Sequence, residues 1–482
     1  MFKLSTIILM VFAAGCVSPA SSTDDEVAVV LNGLSTPYQF SNRPAKTHTL
    51  AERMELYQVP GVSIAYFRDG EILWARGIGV LEIGETTPIT PNTIFQAASI
   101  TKPVTAMTVL SLVEDGVLTL DEPIDQWLGE WEIPDNPFTD RATPTLRQLL
   151  SHSAGVSQYV TAGYERDEDL PTVLQMLTGT PPAKTVPVTF DYAPGSKYVY
   201  SVGTYLILQH IIENVTNQSF SEAAYERILE PNGMTHSAFY PNGLPSGFAD
   251  DGYARAHTGE GSIFDGDYKV YPELAAAGLW TTPSDLAKFA IDVQKSLRGA
   301  SNNVLSAEMT QQMLTRQIGI WGLGWEFMTR EGTPPSFYHS GSNLGYKSIV
   351  YARMDGSEGV AIMVNGENGG DIFFEILAGM SLIYDWEELK PEEREIFDMT
   401  PQDIAVFEGQ YAFSEPIEGV VIVKAFDELI TLEIPGFFAA REFYPGSPTS
   451  FFDLGGNSLR FELDEAGTPT KINFGDVVGT RQ

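Results

Sequence analysis

The sequence predicts a mixed α/β chain that ends in a separate all-β domain. Three observations carry that reading. Two alternating runs, Val62 to Phe67 and Glu71 to Val80, flank Asp69-Gly70, a dipeptide suited to the left-handed turn of a β-hairpin. Apolar stretches with helical spacing follow, opening at Ser99, Tyr205 and Ile372. From Val406 onward the pattern changes to short alternating strands broken by Pro435-Gly436, Gly455-Gly456-Asn457 and Glu465-Ala466-Gly467. Those strands predict a small antiparallel barrel or sandwich.

In chain order, Lys3 and the apolar run Leu4 to Phe12 read as an export signal. Ala13-Ala14-Gly15-Cys16 closes it, and the run is too short to span a bilayer permanently. The segment resembles a bacterial lipoprotein signal, which implies cleavage before Cys16 and a lipid on that residue. An ordinary secretory signal with a chance cysteine is the alternative. Val17 in place of Asp fits sorting to the periplasmic face of an outer membrane, so the expected location is the cell envelope. Residues 17–35 read as a tether. A helix is expected within Ala45 to Gln58, stopped by Val59-Pro60-Gly61. Ser284 is expected to cap a helix after the turn at Gly278. Trp321-Gly322-Leu323-Gly324-Trp325 reads as a strand allowing close backbone approach, with its tryptophans toward a cleft or in packing. Strands Tyr346 to Arg353 and Val360 to Asn365 precede a closing helix, and Glu387 to Gln402 reads as a linker.

The chain of 482 residues carries a formal net charge of −34. That balance argues against nucleic acid, because phosphate binding needs clustered Lys and Arg. The single cysteine excludes an intrachain disulfide. The six histidines are scattered, and none forms a zinc-type pair at helical spacing, so neither a metal nor another cofactor is expected.

The chemistry is concentrated in Ser99-Ile100-Thr101-Lys102. Of all the lysines, only Lys102 has a serine three residues before it. On a helix that spacing puts both side chains on one face. A serine hydroxyl needs a base to become a nucleophile, and a lysine in a water-poor pocket can lose its proton. Free N–H groups of the first helical turn can face a developing oxyanion. Tyr200 could act as a base beside them if an ammonium lowers its pKa. His152 reads either as an acid–base group or as a brace for its loop. Gly341 would let substrate lie against a strand whose N–H is a second oxyanion donor.

Together these pieces resemble the serine β-lactamase-related hydrolases. The likeness runs from about residue 45 to 386. It rests on Ser99-x-x-Lys102, on Pro194-Gly195 followed by Tyr200-Ser201, and on His339-Ser340-Gly341. Leu149 to Gly155 and Gly278 to Leu286 are similar to further stretches of that family. The resemblance implies an antiparallel sheet with helices on both faces, beside a helical lobe, with the site between them. It also implies roles. Ser99 would be acylated, Lys102 and Tyr200 would carry protons, and the N–H groups of Ser99 and Ser342 would hold the oxyanion. His339, Gly341, Val202 and Trp325 would contact substrate. The C-terminal segment resembles the lipocalin-like domain appended to such hydrolases. The resulting division is 1–16 signal, 17–35 tether, 36–390 catalytic domain, 391–404 linker and 405–482 β domain.

Two departures bear on substrate. The Tyr-x-Asn element of β-lactamases reads Tyr200-Ser201-Val202, and valine cannot hydrogen-bond a substrate amide. His339 stands where many relatives carry lysine, which weakens a fixed charge for a carboxylate. Both changes point to an ester or unusual peptide substrate, cleaved by an esterase-like serine hydrolase. The alternatives are a D-Ala-D-Ala carboxypeptidase or class C-type β-lactamase, and a non-catalytic lipid-anchored binding protein.

Overall fold

The hairpin expected around Asp69-Gly70 is present as β1 (Gly61–Arg68) and β2 (Glu71–Gly79). Asp69 and Gly70 take φ of 53° and 81°, the left-handed pair that a two-residue hairpin turn requires. The computed structural model describes residues 23–482 apart from 141, 161–162, 247, 249–251, 301–302, 334, 414–418, 427, 435–437 and 476. The signal segment 1–16, with Cys16, lies outside the described residues.

Four later strands complete the sheet: β3 (Glu326–Met328), β4 (Ser336–Asn343), β5 (Tyr346–Arg353) and β6 (Glu358–Val364). The order is β2-β1-β6-β5-β4-β3, antiparallel throughout. Successive side chains on a strand face opposite ways, and both faces here are apolar. Val62, Ile64, Tyr66, Val360 and Ile362 enter one core, and Ala65, Phe67, Ala361 and Met363 enter the other. Each face therefore needs a helical cover.

The helices that supply it are α1 (Thr23–Leu31), α2 (Leu50–Leu56), α3 (Thr101–Glu114), α4 (Val202–Thr216), α5 (Leu274–Ala277), α6 (Pro283–Leu297) and α7 (Gly369–Tyr384). Helix α6 packs on one face, and α1 and α7 pack on the other. Helices α3, α4 and α5 form the lobe beside the sheet. Helix α3 is buried along nearly its whole length, so it is apolar all round rather than striped. Pro103 is tolerated because it sits in the first turn, where its missing N–H has no intrahelical partner. The α6 cap is Thr282, whose hydroxyl accepts from Asp285 N–H at 3.2 Å. Ser284 is inside the helix, since Pro283 takes the first helical position and moves the cap one residue earlier.

The expected α/β architecture is thus present, and so is the all-β domain, as a closed antiparallel barrel. Its strands are β7 (Gly409–Phe413), β8 (Gly419–Phe426), β9 (Leu429–Ile434), β10 (Phe438–Pro445), β11 (Ser450–Phe452), β12 (Ser458–Leu463), β13 (Pro469–Phe474) and β14 (Val477–Arg481). Closure removes the edges on which strands aggregate. Phe407, Phe451 and Phe461 fill its interior, with Phe407 and Phe461 ring centroids 4.6 Å apart.

Three expectations are corrected. Residues 23–35 are not a tether: Val27, Val30 and Leu34 are buried in the core beneath α7. Asp24, Asp25 and Glu26 stand in the first turn of α1, where acidic residues suit the positive end of a helix. The segment 391–404 is not a free linker. Glu392–Arg394 pairs in parallel with Tyr38–Phe40, and the short helix Pro401–Ala405 buries Ile404 in the barrel core. Residues 321–325 are not a strand: Trp321 makes only isolated bridges, the chain bends at Leu323-Gly324, and the strand begins at Glu326.

Replacing Leu34 by alanine tests the first correction. A core residue should cost about 2–5 kcal/mol in urea unfolding of the catalytic domain, whereas a tether residue would cost nothing measurable.

Candidate active site

Ser99 lies on a tight turn, Ala98–Ile100, between a short strand and α3. Ala98 has φ of 51°, which costs an L-residue about 1–2 kcal/mol. Surrounding contacts hold the turn in place. Ala97 N–H donates to Leu279 O at 2.8 Å, Thr101 Oγ1 to Ala98 O at 2.6 Å, and Ser348 Oγ to Ala97 O at 2.9 Å.

One turn into α3, Lys102 is fully buried, with Nζ 2.9 Å from Ser99 Oγ and 3.0 Å from Ala276 O. Its other neighbours are the rings of Tyr200 and Tyr205, with centroids at 4.9 and 5.6 Å. Among the described residues no carboxylate pairs with it. Burial therefore lowers its pKa from the usual lysine value to about 7. Tyr200 OH donates to Ser99 Oγ at 2.8 Å. Burial raises its phenol above the ordinary tyrosine value, opposite to the lowering expected from a neighbouring ammonium. Desolvation outweighs the hydrogen bond to Ser99, and the charge of Glu326 adds to the rise.

Tyr200 reaches the serine because its loop is clamped to Ser151–Gly155. Val199 N–H donates to His152 O at 2.9 Å, and Gly195 N–H to Ser153 O at 2.7 Å. Gly155 has φ of 84°, and a Cβ there would lie 2.0 Å from Tyr192 O. His152 braces this loop. Its Nδ1 accepts from Ser201 N–H at 3.3 Å and meets Thr204 Oγ1 at 3.0 Å, and its ring centroid lies 4.5 Å from that of Tyr200. Burial, more than the charge of Lys102, holds its pKa well below the usual value.

Ser99 and Tyr200 open into a cleft of about 470 Å³ that is also lined by Val202, Trp321, Glu326, His339 and Ser342. Val202 begins α4 and closes one wall. Ser342 is exposed on the cleft side of β4. Gly341 does not cradle substrate as expected. A Cβ there would lie 2.2 Å from Ala97 O, so this glycine lets β4 press against the nucleophile turn. Trp325 is not in the cleft either. It is fully buried, with its ring 4.8 Å from Phe337 and 5.8 Å from Phe289, and Trp321 takes the cleft position instead. Turn geometry over 321–325 sends the two tryptophans to different surroundings. His339 is buried and neutral, its pKa lowered by burial to about 3, so it carries no charge for a carboxylate. Sequence reasoning missed Glu326, a half-buried cleft residue whose carboxylate accepts from Tyr338 OH at 2.9 Å. No motif marks it, since only the β3–β4 pairing brings it there. Among the described residues no cluster of His, Cys, Asp or Glu is placed to hold a metal ion.

A family profile described as Beta-lactamase matches residues 47–378. The chain belongs to the beta-lactamase family. It is a serine hydrolase of that family. Among its relatives, penicillin-binding protein 4 of Amycolatopsis lactamdurans is 27% identical over 378 residues, covering 74% of this chain and 93% of its own. Teichoic acid D-alanine hydrolase of Staphylococcus aureus is 26% identical over 233 residues, covering 48% of this chain and 54% of its own. The octameric penicillin-binding protein homologue from Pyrococcus abyssi shares the fold, with a TM-score of 0.61 at 24% identity over 90% of this chain and 98% of that one.

Gly341→Ala tests the role given to that glycine. The added methyl should displace the nucleophile turn and lower kcat/KM by about a hundredfold, because small misplacements of reacting groups are costly. A change within twofold would show that β4 and the turn are not tightly opposed.

Proposed function

We propose that the protein cleaves an ester or amide through an acyl-enzyme on Ser99. The observation that carries this reading is the buried Lys102 amine 2.9 Å from the Ser99 hydroxyl oxygen. Near neutral pH that amine is free to take the Ser99 proton as Oγ bonds to the carbonyl carbon. The bond to the leaving group then breaks. The proton passes from Lys102, through the Tyr200 hydroxyl, to the departing oxygen or nitrogen. In the second half Lys102 takes a proton from water, hydroxide attacks the acyl carbon, and Ser99 leaves and recovers its proton. Tyr200 acts as a protonated relay here rather than as the base, because burial keeps its proton on. The N–H groups of Ser99 and Ser342 are the oxyanion donors.

The neutral His339 and Val202 weigh against a carboxylate-bearing β-lactam or D-Ala-D-Ala peptide, since neither supplies what those substrates need. A hydrolase named for teichoic acid D-alanine among the relatives supports ester or amide work. The second reading, penicillin binding, is favoured by a relative named penicillin-binding protein. Labelling of Ser99 by a fluorescent penicillin would support it.

We also propose that export and a lipid on Cys16 hold the protein at the periplasmic face of an outer membrane. The charged start, short apolar run and small residues before Cys16 support this. Labelled palmitate should enter the wild type and not Cys16→Ser.

Two measurements test the acyl-enzyme. A chromogenic ester should be turned over by the wild type and not by Ser99→Ala, and equal rates would remove the reading. The pH profile tests the base. Lys102 is neutral above its lowered pKa and protonated below it. kcat/KM for a neutral ester should therefore rise about tenfold per pH unit up to a pH of about 7 and then level. A rising limb centred near the ordinary lysine value would contradict the assignment.

A further inference from the structure

The two oxyanion donors stand on different sheets. Strand β4 carries Ser342 and belongs to the six-stranded sheet. The strand Phe95–Gln96 leads into the Ser99 turn and pairs with Leu279–Thr281 in a separate three-stranded sheet. Among the described residues no ladder joins the two sheets. Both N–H groups must nevertheless face one carbonyl oxygen, so the fit between the sheets has to be set by side chains. Side chains on a strand alternate, and Gly341 and Asn343 therefore point to the side opposite Ser342. Gly341 presses on Ala97 O, and Asn343, two residues on, meets Gln96.

The direction of that contact follows from the backbone. Gln96 Nε2 donates to Lys269 O at 2.8 Å. A carbonyl only accepts, so Gln96 turns its amino group to Lys269 and its oxygen to β4. Asn343 Nδ2 donates to that oxygen at 2.7 Å. Its second N–H donates to Ala277 O at 3.3 Å. Ala277 ends α5 and follows Ala276, whose carbonyl receives Lys102 Nζ. One carboxamide thus spans the oxyanion strand, the strand before the nucleophile turn and the helix that holds the base. Both Asn343 and Gln96 are buried, so water does not replace either bond when it is lost. The main chain of Asn343 is pinned as well. Lys347 Nζ lies 3.3 Å from Asn343 O and 2.6 Å from Glu367 Oε1, and Gly345 N–H donates to Glu367 Oε2 at 2.7 Å.

We propose that Asn343 is a positioning residue for the reaction at Ser99: its carboxamide sets the Ser342 N–H opposite the Ser99 N–H and steadies the helix whose carbonyl receives Lys102. The proposal rests on the acyl-enzyme reading of Ser99 and adds a residue that acts through its neighbours. Misplacing reacting groups by about 1 Å costs about a hundredfold in rate, so a single interior bond of this kind is visible in turnover.

Gln96→Leu and Asn343→Leu remove the Asn343–Gln96 bond from its two ends. Gln96 is not one of the cleft residues, so its replacement does not act through substrate contact. With a chromogenic ester, kcat should fall about tenfold or more in each variant while KM stays within about threefold. The double variant should fall no further than the worse single one, because both changes delete the same bond. Phenylboronic acid is the second probe. Boron bonded to Ser99 Oγ carries an oxygen where the oxyanion forms, so its inhibition constant should rise about tenfold or more in each variant. A smaller loss of kcat, a loss carried by KM instead, unchanged boronic acid inhibition, or additive losses in the double variant each overturn the proposal. Circular dichroism checks folding, and either single variant that folds decides the matter. Failure of both to fold makes the bond structural and overturns the proposal too. Equal turnover by wild type and Ser99→Ala removes the acyl-enzyme reading instead. A Ser99-dependent rate that Gln96→Leu leaves unchanged removes only the positioning role.

Discussion

Lys102 Nζ is held out of water between Ser99 Oγ and Ala276 O, with aromatic rings in place of a counter-ion. Placing an amine there is unfavourable for the charged form, and a free amine is able to take the proton of an adjacent serine hydroxyl. The surroundings are arranged to keep that burial intact. Helix α3 is apolar on every side, so its first turn is sealed by the lobe. Thr105 Oγ1 donates to Ala275 O at 2.7 Å, and Gln209 Oε1 accepts from Ala275 N–H at 3.1 Å. Those bonds fix α5, and α5 supplies the carbonyl that receives the amine.

The second constraint is the approach of β4 to the nucleophile turn. Gly341 against Ala97 O leaves no room for a side chain, and the same contact sets where Ser342 and His339 stand along the cleft. Sheet and lobe are therefore joined at the turn that carries Ser99. The clamp between Ser151–Gly155 and the Tyr200 loop does the same from the opposite side. A turn, a loop and a strand, far apart in sequence, are each pinned by backbone hydrogen bonds or backbone contact. That rigidity suits a site whose work is positioning.

The electrostatics of the cleft separate this chain from the carboxylate-binding members that its family resemblance brings to mind. Neutral His339 removes a fixed positive charge, and Glu326 adds an acceptor. The acidic character of the whole surface, with a net charge of −34, does not decide this. Two side chains lining the site do, because interactions between exposed charges are screened over about 10 Å or less while those of less exposed groups persist.

Periodicity and turn chemistry made much of the fold legible. The hairpin at Asp69-Gly70, the strands near 346 and 360, the closing helix and the C-terminal β domain were all readable, because each is specified by local residues. The Ser99, Lys102 and Tyr200 set was readable as a motif, though its meeting in space was an inference. What the sequence could not decide depended on long-range packing. Thr23–Leu31 looked like a tether because its buried face is narrow and its partner, α7, lies over 300 residues away. Trp321 and Trp325 carry the same side chain at near-identical positions, and only the turn between them sends one to the cleft and the other to the core. Glu326 had no local signal, since strand pairing alone brings it to the cleft. Residue type and spacing determined which chemistry was available, and tertiary packing decided which groups stay charged, which are neutral, and what they face.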